Sequence, residues 1–216
     1  NGLGSAVTYV ALPLFIYDLS GSLVALGLGF FLETLPWVVV GPIIGVWSDR
    51  GDRKKLIVGA TLGQAGLITV APFASSVWQL YVLAVLSTTL FVWSTPARSA
   101  VVPEVVGREL FPHAVAVGQL TQQALQIAGP LLGGVIVFAL TPRRAFFVDA
   151  VSFLIAAALF ALVAIPTAAR FPKPEEQPLL AQLRAGVSCI RNTPALRLTL
   201  LVSLPPMLTL GMVLAL

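Results

Sequence analysis

One acidic side chain lies deep inside an apolar stretch of this sequence. Glu33 falls about 11 residues into the run 22–47, roughly 17 Å along a helix. If the run spans a bilayer, a charged carboxylate there costs at least about 2.5 kcal/mol, so Glu33 should face a cavity, contact a partner or carry a proton. Glu33 is therefore a candidate for proton coupling or for binding a cationic substrate. The alternative is a protonated Glu that only hydrogen-bonds a neighbouring helix.

Four amide side chains form a second polar group in an apolar run. They are spaced at i, i+3, i+4 and i+7, which places them on one face of a helix. Such a stripe offers hydrogen-bond donors and acceptors without a fixed charge, which suits the polar lining of a substrate path. Hydrogen bonds between helices are the alternative role. The four residues are Gln119, Gln122, Gln123 and Gln126.

The elements that position these residues are membrane helices. Of 216 residues, 57% are hydrophobic and 10% charged, and the mean hydropathy is +0.94. Soluble domains average about 25% charged residues, so this composition excludes an ordinary soluble fold and a disordered chain. The net charge of +4 comes from short clusters between long uncharged runs. Membrane topology explains this pattern better than nucleic-acid binding does.

The apolar runs predict an all-α polytopic membrane protein. A helix needs about 20 apolar residues to cross the roughly 30 Å hydrocarbon core, and these runs are too apolar for the alternating strands of a barrel. Because the chain begins and ends inside apolar runs, we expect a piece of a longer protein. The predicted spans are 1–17, 22–47, 56–74, 77–97, 114–140, 145–166 and 196–216.

The segment after the sixth predicted span has a different composition. Residues 167–195 are rich in proline and charge, which predicts a cytoplasmic linker. Within it, apolar residues recur at helical spacing over 178–192, as in an amphipathic helix on a membrane surface. The predicted domains are thus a transmembrane bundle over 1–166, this linker, and the start of a second bundle over 196–216.

Cations concentrate on one side of this topology. Eleven of the 13 Lys and Arg residues fall in or beside the connections after the second, fourth and sixth spans, which places those connections in the cytoplasm. The eleven are Arg50, Arg53, Lys54, Lys55, Arg98, Arg108, Arg170, Lys173, Arg184, Arg191 and Arg197.

Residue types needed for enzymatic chemistry are scarce. Cys189 is the single cysteine and His113 the single histidine, so the sequence offers no His/Cys metal cluster and no histidine inside a span for a hydrolase. A Gly-rich Lys-Ser/Thr loop for ATP is also absent. We therefore expect a protein that is not an enzyme and uses no metal or other cofactor.

A short glycine and proline pattern occurs twice. Gly41-Pro42 with Gly45 in the second span matches Gly129-Pro130 with Gly133 in the fifth, where Gly134 follows. If spans one to three and four to six are inverted repeats, these two spans are equivalent. Small residues four apart also let two helices approach closely, so helix packing or a hinge is the other interpretation, and the two are compatible.

The connection after the second span resembles a known motif. Residues 45–55, Gly-Val-Trp-Ser-Asp-Arg-Gly-Asp-Arg-Lys-Lys, are similar to the loop Gly-x-x-x-Asp-Arg-x-Gly-Arg-Lys/Arg of the major facilitator superfamily, with Asp52 in place of Gly. Asp at that position resembles the enterobactin-exporter and macrolide-efflux branch. Further similarities to that branch are Pro96-Ala97-Arg98-Ser99-Ala100, Pro103-Glu104, Gly129-Pro130, Gly133-Gly134, Asp149-Ala150 and Ser152-Phe153.

The resemblance implies the N-terminal six-helix bundle of a major facilitator fold, a 3+3 inverted repeat. It also implies a gate in which Asp49 faces a helix end of the other half while Arg50 and Arg53 pair with nearby acids and helix ends. The alternative is that these charges only set topology. The gate residues carried over are Gly45, Asp49, Arg50, Asp52, Arg53 and Lys54.

Three positions bear on how far the resemblance extends. The predicted fourth span holds no charge, so the membrane-embedded Arg of some drug/proton antiporters is missing, and Arg98 is expected at the cytoplasmic end. Leu125 stands where a Gly is expected in the fifth span. Asp149, close in sequence to Arg143 and Arg144, is expected in the first turn of the sixth span, near the outer surface, as a structural capping residue.

These observations together predict a secondary active transporter in a bacterial-type inner membrane. By resemblance it exports a hydrophobic or amphipathic small molecule, such as a drug, macrolide or siderophore, by alternating access with protons as the candidate coupling ion. Its expected partners are the substrate, the lipid bilayer and the C-terminal half of the same transporter, but no nucleic acid. A lipid or lysolipid transporter and a non-transporting membrane scaffold or sensor are the alternatives.

Overall fold

Six α-helices make up most of the described part of the protein. The computed structural model describes residues 2–41, 52–107 and 109–163, all in the first of two compact units, 1–169 and 170–216. No strand occurs in these ranges, so the predicted polytopic helical fold is confirmed. The helices are α1 Gly2–Ser20, α2 Leu23–Val39, α3 Arg53–Val70, α4 Val77–Val106, α5 Phe111–Leu140 and α6 Pro142–Leu162, with a 3-10 turn at Ala71–Phe73.

Five of these helices are long and apolar enough to cross a membrane, and α2 is an apolar helix of 17 residues. Each lies on one predicted span. The main difference is in α4, which continues to Val106 although the predicted span ends at residue 97. The end of the second predicted span, the linker and the seventh span lie outside the described residues, and the domain boundaries stay a prediction.

Local sequence signals explain where the helices begin. Gly21, with φ of 62°, makes the tight turn between α1 and α2, a conformation that glycine adopts without steric cost. Ser22 then caps α2 by accepting a hydrogen bond from the backbone N–H of Ala25 at 3.4 Å. At the start of α4, Gln79 Oε1 accepts from the backbone N–H groups of Ser75 and Ser76 at 2.8 and 3.2 Å.

Helix packing follows an approximate twofold pattern. The helix α1 packs mainly on α5 and α6, while α4 packs mainly on α2 and α3. If α1–α3 are superposed in sequence order on α4–α6, the α1–α5 contact corresponds to α4–α2, and α1–α6 to α4–α3. The same superposition exchanges α3 and α6, so the contact between these two helices maps onto itself. This contact is extensive. This correspondence is the one that a 3+3 repeat produces.

The core lies between α1, α3, α4 and α6. Phe15 and Phe146 are almost fully buried there, with ring centroids 6.0 Å apart. In contrast, α2 and α5 leave most of their surface exposed, including Val24, Ile127 and Phe138. Exposed apolar side chains suit a helix in contact with lipid or with another membrane helix. The helices α2 and α5 therefore form the open sides of this bundle.

Candidate functional site

The last part of the predicted gate loop begins α3. Asp52 is the N-cap residue, and its Oδ1 accepts hydrogen bonds from the backbone N–H groups of Lys54 at 3.0 Å and Lys55 at 3.2 Å. Such a cap typically stabilises a helix by about 1 kcal/mol, and the negative charge also favours the helix N-terminus. Asp52 therefore has a local structural role that a glycine at this position could not perform.

Two cations of the loop connect α3 to its neighbours. Arg53 forms an ion pair with Glu104 of α4, and each side chain is only 18% exposed. Lys54 Nζ donates a hydrogen bond of 2.9 Å to the carbonyl oxygen of Val163, at the C-terminal end of α6, where a cation is favourable. The beginning of α3 is thus held against the ends of α4 and α6. The other gate residues, Gly45, Asp49 and Arg50, lie outside the described residues.

Arg98 lies inside α4 rather than at its end, and its position at the cytoplasmic end of the membrane span stays a prediction. The helix continues for eight residues to Val106. Arg98 Nη2 donates to Thr61 Oγ1 at 3.1 Å, and the guanidinium lies 5.6 and 5.5 Å from the ring centroids of Phe91 and Phe160. Because this hydroxyl and two aromatic faces accommodate the charge, α4 can continue past it. Among the described residues, Arg98 Nε is buried without a hydrogen-bond partner.

Glu33 borders a cavity between the helices. The central cavity has a volume of about 50 Å³ and is lined by residues of α1, α2, α3, α4 and α6 together with the 3-10 turn. Its polar lining residues are Thr8, Glu33, Ser87 and Thr88, and the rest of the lining is apolar. Glu33 is ten residues from the start of α2, about 15 Å along the helix. Within the described ranges its carboxyl group has no ion-pair partner.

Asp149 is not a helix cap, which corrects the prediction made from its sequence position. It is the eighth residue of α6 and only 1% exposed. Thr8 Oγ1 of α1 donates a hydrogen bond of 2.6 Å to Asp149 Oδ2, and Ser152 Oγ donates one of 3.1 Å to Oδ1. The prediction failed because the carboxyl group turns toward α1, where a hydroxyl satisfies it, instead of toward the backbone at the helix start.

The glutamine stripe of α5 lies on an open side of the bundle. All four side chains are exposed, and no hydrogen bond of their amides to another helix occurs in the described ranges. Helix-to-helix hydrogen bonding thus finds no partner within this bundle. The substrate-path role of Gln119, Gln122, Gln123 and Gln126 stays a prediction.

The glycines of α5 divide into two groups. Gly129 and Gly133 are buried against α1, and a Cβ built at Gly133 would lie 2.8 Å from the backbone oxygen of Ala6. A Cβ at Gly134 would have nothing within 4 Å, and the same is true at Gly41, two residues after the end of α2. Close helix approach therefore involves Gly129 and Gly133 within this bundle, but neither Gly41 nor Gly134.

Of the two prolines in the repeated pattern, only Pro130 lies within the described residues. Pro130 is exposed, on the open side of α5. Pro42 lies outside the described residues, so the proposed equivalence of the two Gly-Pro pairs is visible on the α5 side alone. The hinge role of these prolines stays a prediction.

Several polar residues of the interior are not among the candidate site residues that the sequence predicts. Glu104 and Thr8 provide the partners of Arg53 and Asp149, and Gln64 donates from Nε2 to the carbonyl oxygen of Ser87 at 3.3 Å. Each is a polar side chain within an apolar helix, which is the signal that could have found it. Their partners lie between 23 and 141 residues away along the chain, so spacing alone does not connect them.

The described residues thus combine a largely apolar cavity that Glu33 borders with charged helix ends in an apolar six-helix bundle. The family model of the Major Facilitator Superfamily matches residues 1–216, so the chain belongs to this superfamily. The resemblance noted in the sequence is thereby confirmed, and the family supports the expectation of a transporter rather than an enzyme.

Curated relatives include efflux proteins. The chain is 28% identical over 189 residues to an uncharacterized MFS-type transporter, YfiS, of Bacillus subtilis, covering 86% of this chain and 45% of the relative. It is 26% identical to macrolide efflux protein A of Streptococcus pyogenes, covering 92% and 50%. It is 29% identical to the enterobactin exporter EntS of Salmonella paratyphi A, covering 82% and 43%. The chain spans about half the length of these relatives. No solved structure shows a significant match to the chain.

Proposed function

We propose that the protein is a secondary active transporter that exports a hydrophobic or amphipathic small molecule, such as a drug, macrolide or siderophore. The observation that carries the proposal is Glu33 at the central cavity. An acid in the middle of an apolar bundle is energetically costly, and ionisable residues at such positions typically mark functional sites. The names of two relatives, a macrolide efflux protein and an enterobactin exporter, support export as the direction.

Glu33 acts in energy coupling rather than in binding the exported molecule. The central cavity measures about 50 Å³, whereas pockets for drug-sized ligands measure about 300–1,000 Å³. A cavity of this size accommodates water or a small cation beside Glu33. Protons are the coupling ion we propose, because a carboxyl group with no cation beside it can take up and release one.

The exported molecule instead passes along the open sides of the bundle. The glutamine stripe of α5 lies on such a side and offers uncharged hydrogen-bonding groups. In a two-half transporter these sides face the C-terminal half, and the substrate site lies between the halves near the membrane midplane. A polar stripe there would contact the substrate while the two halves rock against each other.

The predicted gate loop would control the other end of this path. Arg53 and Lys54 fix the start of α3 to α4 and α6, so the loop before α3 has a rigid base. From that base, Asp49 would contact a helix end of the C-terminal half in one access state only, while Arg50 would pair with acids and helix ends nearby. Contacts that exist in one state alone shift the equilibrium between the two states.

The protein is proposed to lie in a bacterial inner membrane with the loops after spans two, four and six in the cytoplasm. This orientation predicts that Cys189, in a variant of the full-length protein from which any other cysteine has been removed, is not labelled by a membrane-impermeant maleimide until cells are permeabilised. A matched variant with Cys189→Ser and Asp18→Cys should be labelled in intact cells. The reverse labelling pattern would contradict the orientation.

The proposed function is tested with the full-length protein in proteoliposomes loaded with a radiolabelled macrolide. We expect an imposed pH gradient to increase macrolide flux at least tenfold, and Glu33→Gln to abolish that increase. Asp18 is an exposed acid near the C-terminal end of α1, so Asp18→Asn is the matched control and should behave as wild type. Absence of macrolide, siderophore and dye flux in the wild type would contradict the proposal, and flux of a lysolipid alone would favour a lipid transporter.

A further inference from the structure

Thr8 lies between the two central carboxyl groups of this bundle. It lines the central cavity that Glu33 also borders, and its hydroxyl donates to Asp149 Oδ2 at 2.6 Å. We propose that Glu33, Thr8 and Asp149 form a proton relay, so that the two acids share one transferable proton inside the N-terminal bundle. This inference rests on the proposed function, and it identifies a second coupling residue and the route to it.

The size of the central cavity defines the ligand. A water molecule needs about 10–15 Å³ of cavity volume by this measure, so about 50 Å³ accommodates a few waters. Besides Glu33 and Thr8, Ser87 and Thr88 line the cavity and can hydrogen-bond such waters. The site therefore suits a hydrated proton, and it is too small for an organic cation of drug size.

Close packing of α1 on α6 holds Thr8 in reach of Asp149. A Cβ built at Gly4, one turn before Thr8, would lie 2.5 Å from Asp149 Oδ1 and 2.6 Å from Ser152 Cβ. Only a glycine permits this approach of the two helices. Since Asp149 is 1% exposed, Thr8 is the group that connects its carboxyl to the cavity.

The charged groups around Asp149 leave its carboxyl free to take up a proton. On α6 itself, Arg143 lies six residues before Asp149, and its guanidinium stacks over Phe15 at 4.9 Å. The ionisable residues of α1 are exposed, and those of α3 are at its beginning, where they contact the ends of α4 and α6. The remaining ionisable residues on these helices and on α5 are Tyr9, Tyr17, Asp18, Lys55, His113 and Arg144.

Glu33, like Asp149, has no cation paired with it among the described residues. It is the only ionisable residue of α2, and its neighbours on α4 are uncharged where they line the cavity. Tyr81 of α4 donates its hydroxyl to the carbonyl oxygen of Ala25 at 2.6 Å, and Arg98 of α4 donates to Thr61. No cation in the described ranges therefore forms an ion pair with either acid of the relay.

A proton can pass from Glu33 to Asp149 through a cavity water and Thr8 without a net change at either of these two groups. The Glu33 carboxyl gives its proton to a water of the central cavity as that water donates another proton to Thr8 Oγ1. Thr8 passes its own hydroxyl proton to Asp149 Oδ2. One O–H bond breaks and one forms at the water and at the threonine, so both are unchanged afterwards. Glu33 ends as the carboxylate and Asp149 as the carboxylic acid.

The test uses infrared pH titration of the purified full-length protein, with the carbonyl stretch of protonated carboxylic acids as the readout. Groups that share a proton titrate as a coupled pair, with an interaction above about one pH unit. We expect Glu33→Gln to shift the midpoint of the Asp149 band by at least about one pH unit, and Asp149→Asn to shift that of Glu33 equally. Unchanged midpoints in both variants would overturn the relay.

The role of Thr8 is tested by a matched pair of substitutions. Thr8→Val keeps the side-chain shape but removes the connecting hydroxyl, and it should slow pH-gradient-driven macrolide flux at least tenfold, while Thr8→Ser restores it. Ser152→Ala removes a hydrogen bond to Asp149 that does not border the cavity, and flux should change less than twofold. Equal effects of Thr8→Val and Ser152→Ala would overturn the relay. If the wild type transports no macrolide, the proposed function fails, whereas the infrared titration still decides the relay.

Discussion

Ionisable side chains have different surroundings in two regions of this bundle. At the basic end, formed by Asp52–Lys55 with Glu104 and Val163, ionic groups have partners on another helix or at a helix terminus. At mid-depth, the central acids Glu33 and Asp149 have no cation beside them in the described ranges. A permanent cation would hold a carboxylate in its charged form. The difference indicates that the basic end maintains structure, whereas the central acids are available for proton transfer.

The largest stability effect is expected at the basic end. Arg53→Ala leaves Glu104 largely buried without its ion-pair partner, so the free energy of unfolding should fall by about 1–3 kcal/mol, between the values for exposed and fully buried pairs. Chemical denaturation of the full-length protein in detergent measures this change. The double variant with Glu104→Ala should lose less stability than the sum of the two single variants. Additive effects would show that the pair contributes nothing.

A smaller effect is expected from the helix cap. Asp52→Ala removes the acceptor of two backbone N–H groups and should lower the free energy of unfolding by about 1 kcal/mol. Asp52→Ser is the control, because its hydroxyl oxygen can still cap α3. Equal stabilities of the Ala and Ser variants would exclude a capping role.

The smallest stability effect is expected at the central acids. Glu33→Gln keeps the shape of the side chain and removes an acid from an apolar interior, so the free energy of unfolding should stay within about 0.5 kcal/mol of wild type. The same denaturation experiment measures it. A loss as large as that of Arg53→Ala would remove the contrast between the two regions.

The sequence predicts the helices better than the contacts between them. Apolar runs locate all six helices, because a bilayer requires length and low charge. The predicted fourth span ends at residue 97, whereas α4 continues to Val106, because Thr61 and two aromatic rings accommodate Arg98 within the helix. The position of Asp149 near the start of α6 predicts a cap, and the structure differs because its partner Thr8 is 141 residues away along the chain. Long-range partners depend on helix packing, which no local pattern specifies.

The gate loop illustrates both what a sequence motif predicts and what it leaves out. The resemblance of its motif to the superfamily loop implies an ion-pairing role for Arg53, and the structure supplies the partner, Glu104. By comparison, the motif gave no indication that Asp52 caps α3, because the resembled pattern has a glycine there. Depth counting along α2 placed Glu33 near the middle of a span, but the cavity beside it requires five helices to come together.

The central claim is that Glu33 couples transport to protons without binding the exported molecule. Its most direct test compares pH-gradient-driven macrolide flux with macrolide counterflow in proteoliposomes without a gradient. Counterflow needs substrate binding and alternating access but no net proton movement. We expect Glu33→Gln to abolish gradient-driven flux while counterflow stays within twofold of wild type. Loss of both activities in a folded Glu33→Gln protein, or loss of neither, would contradict the account.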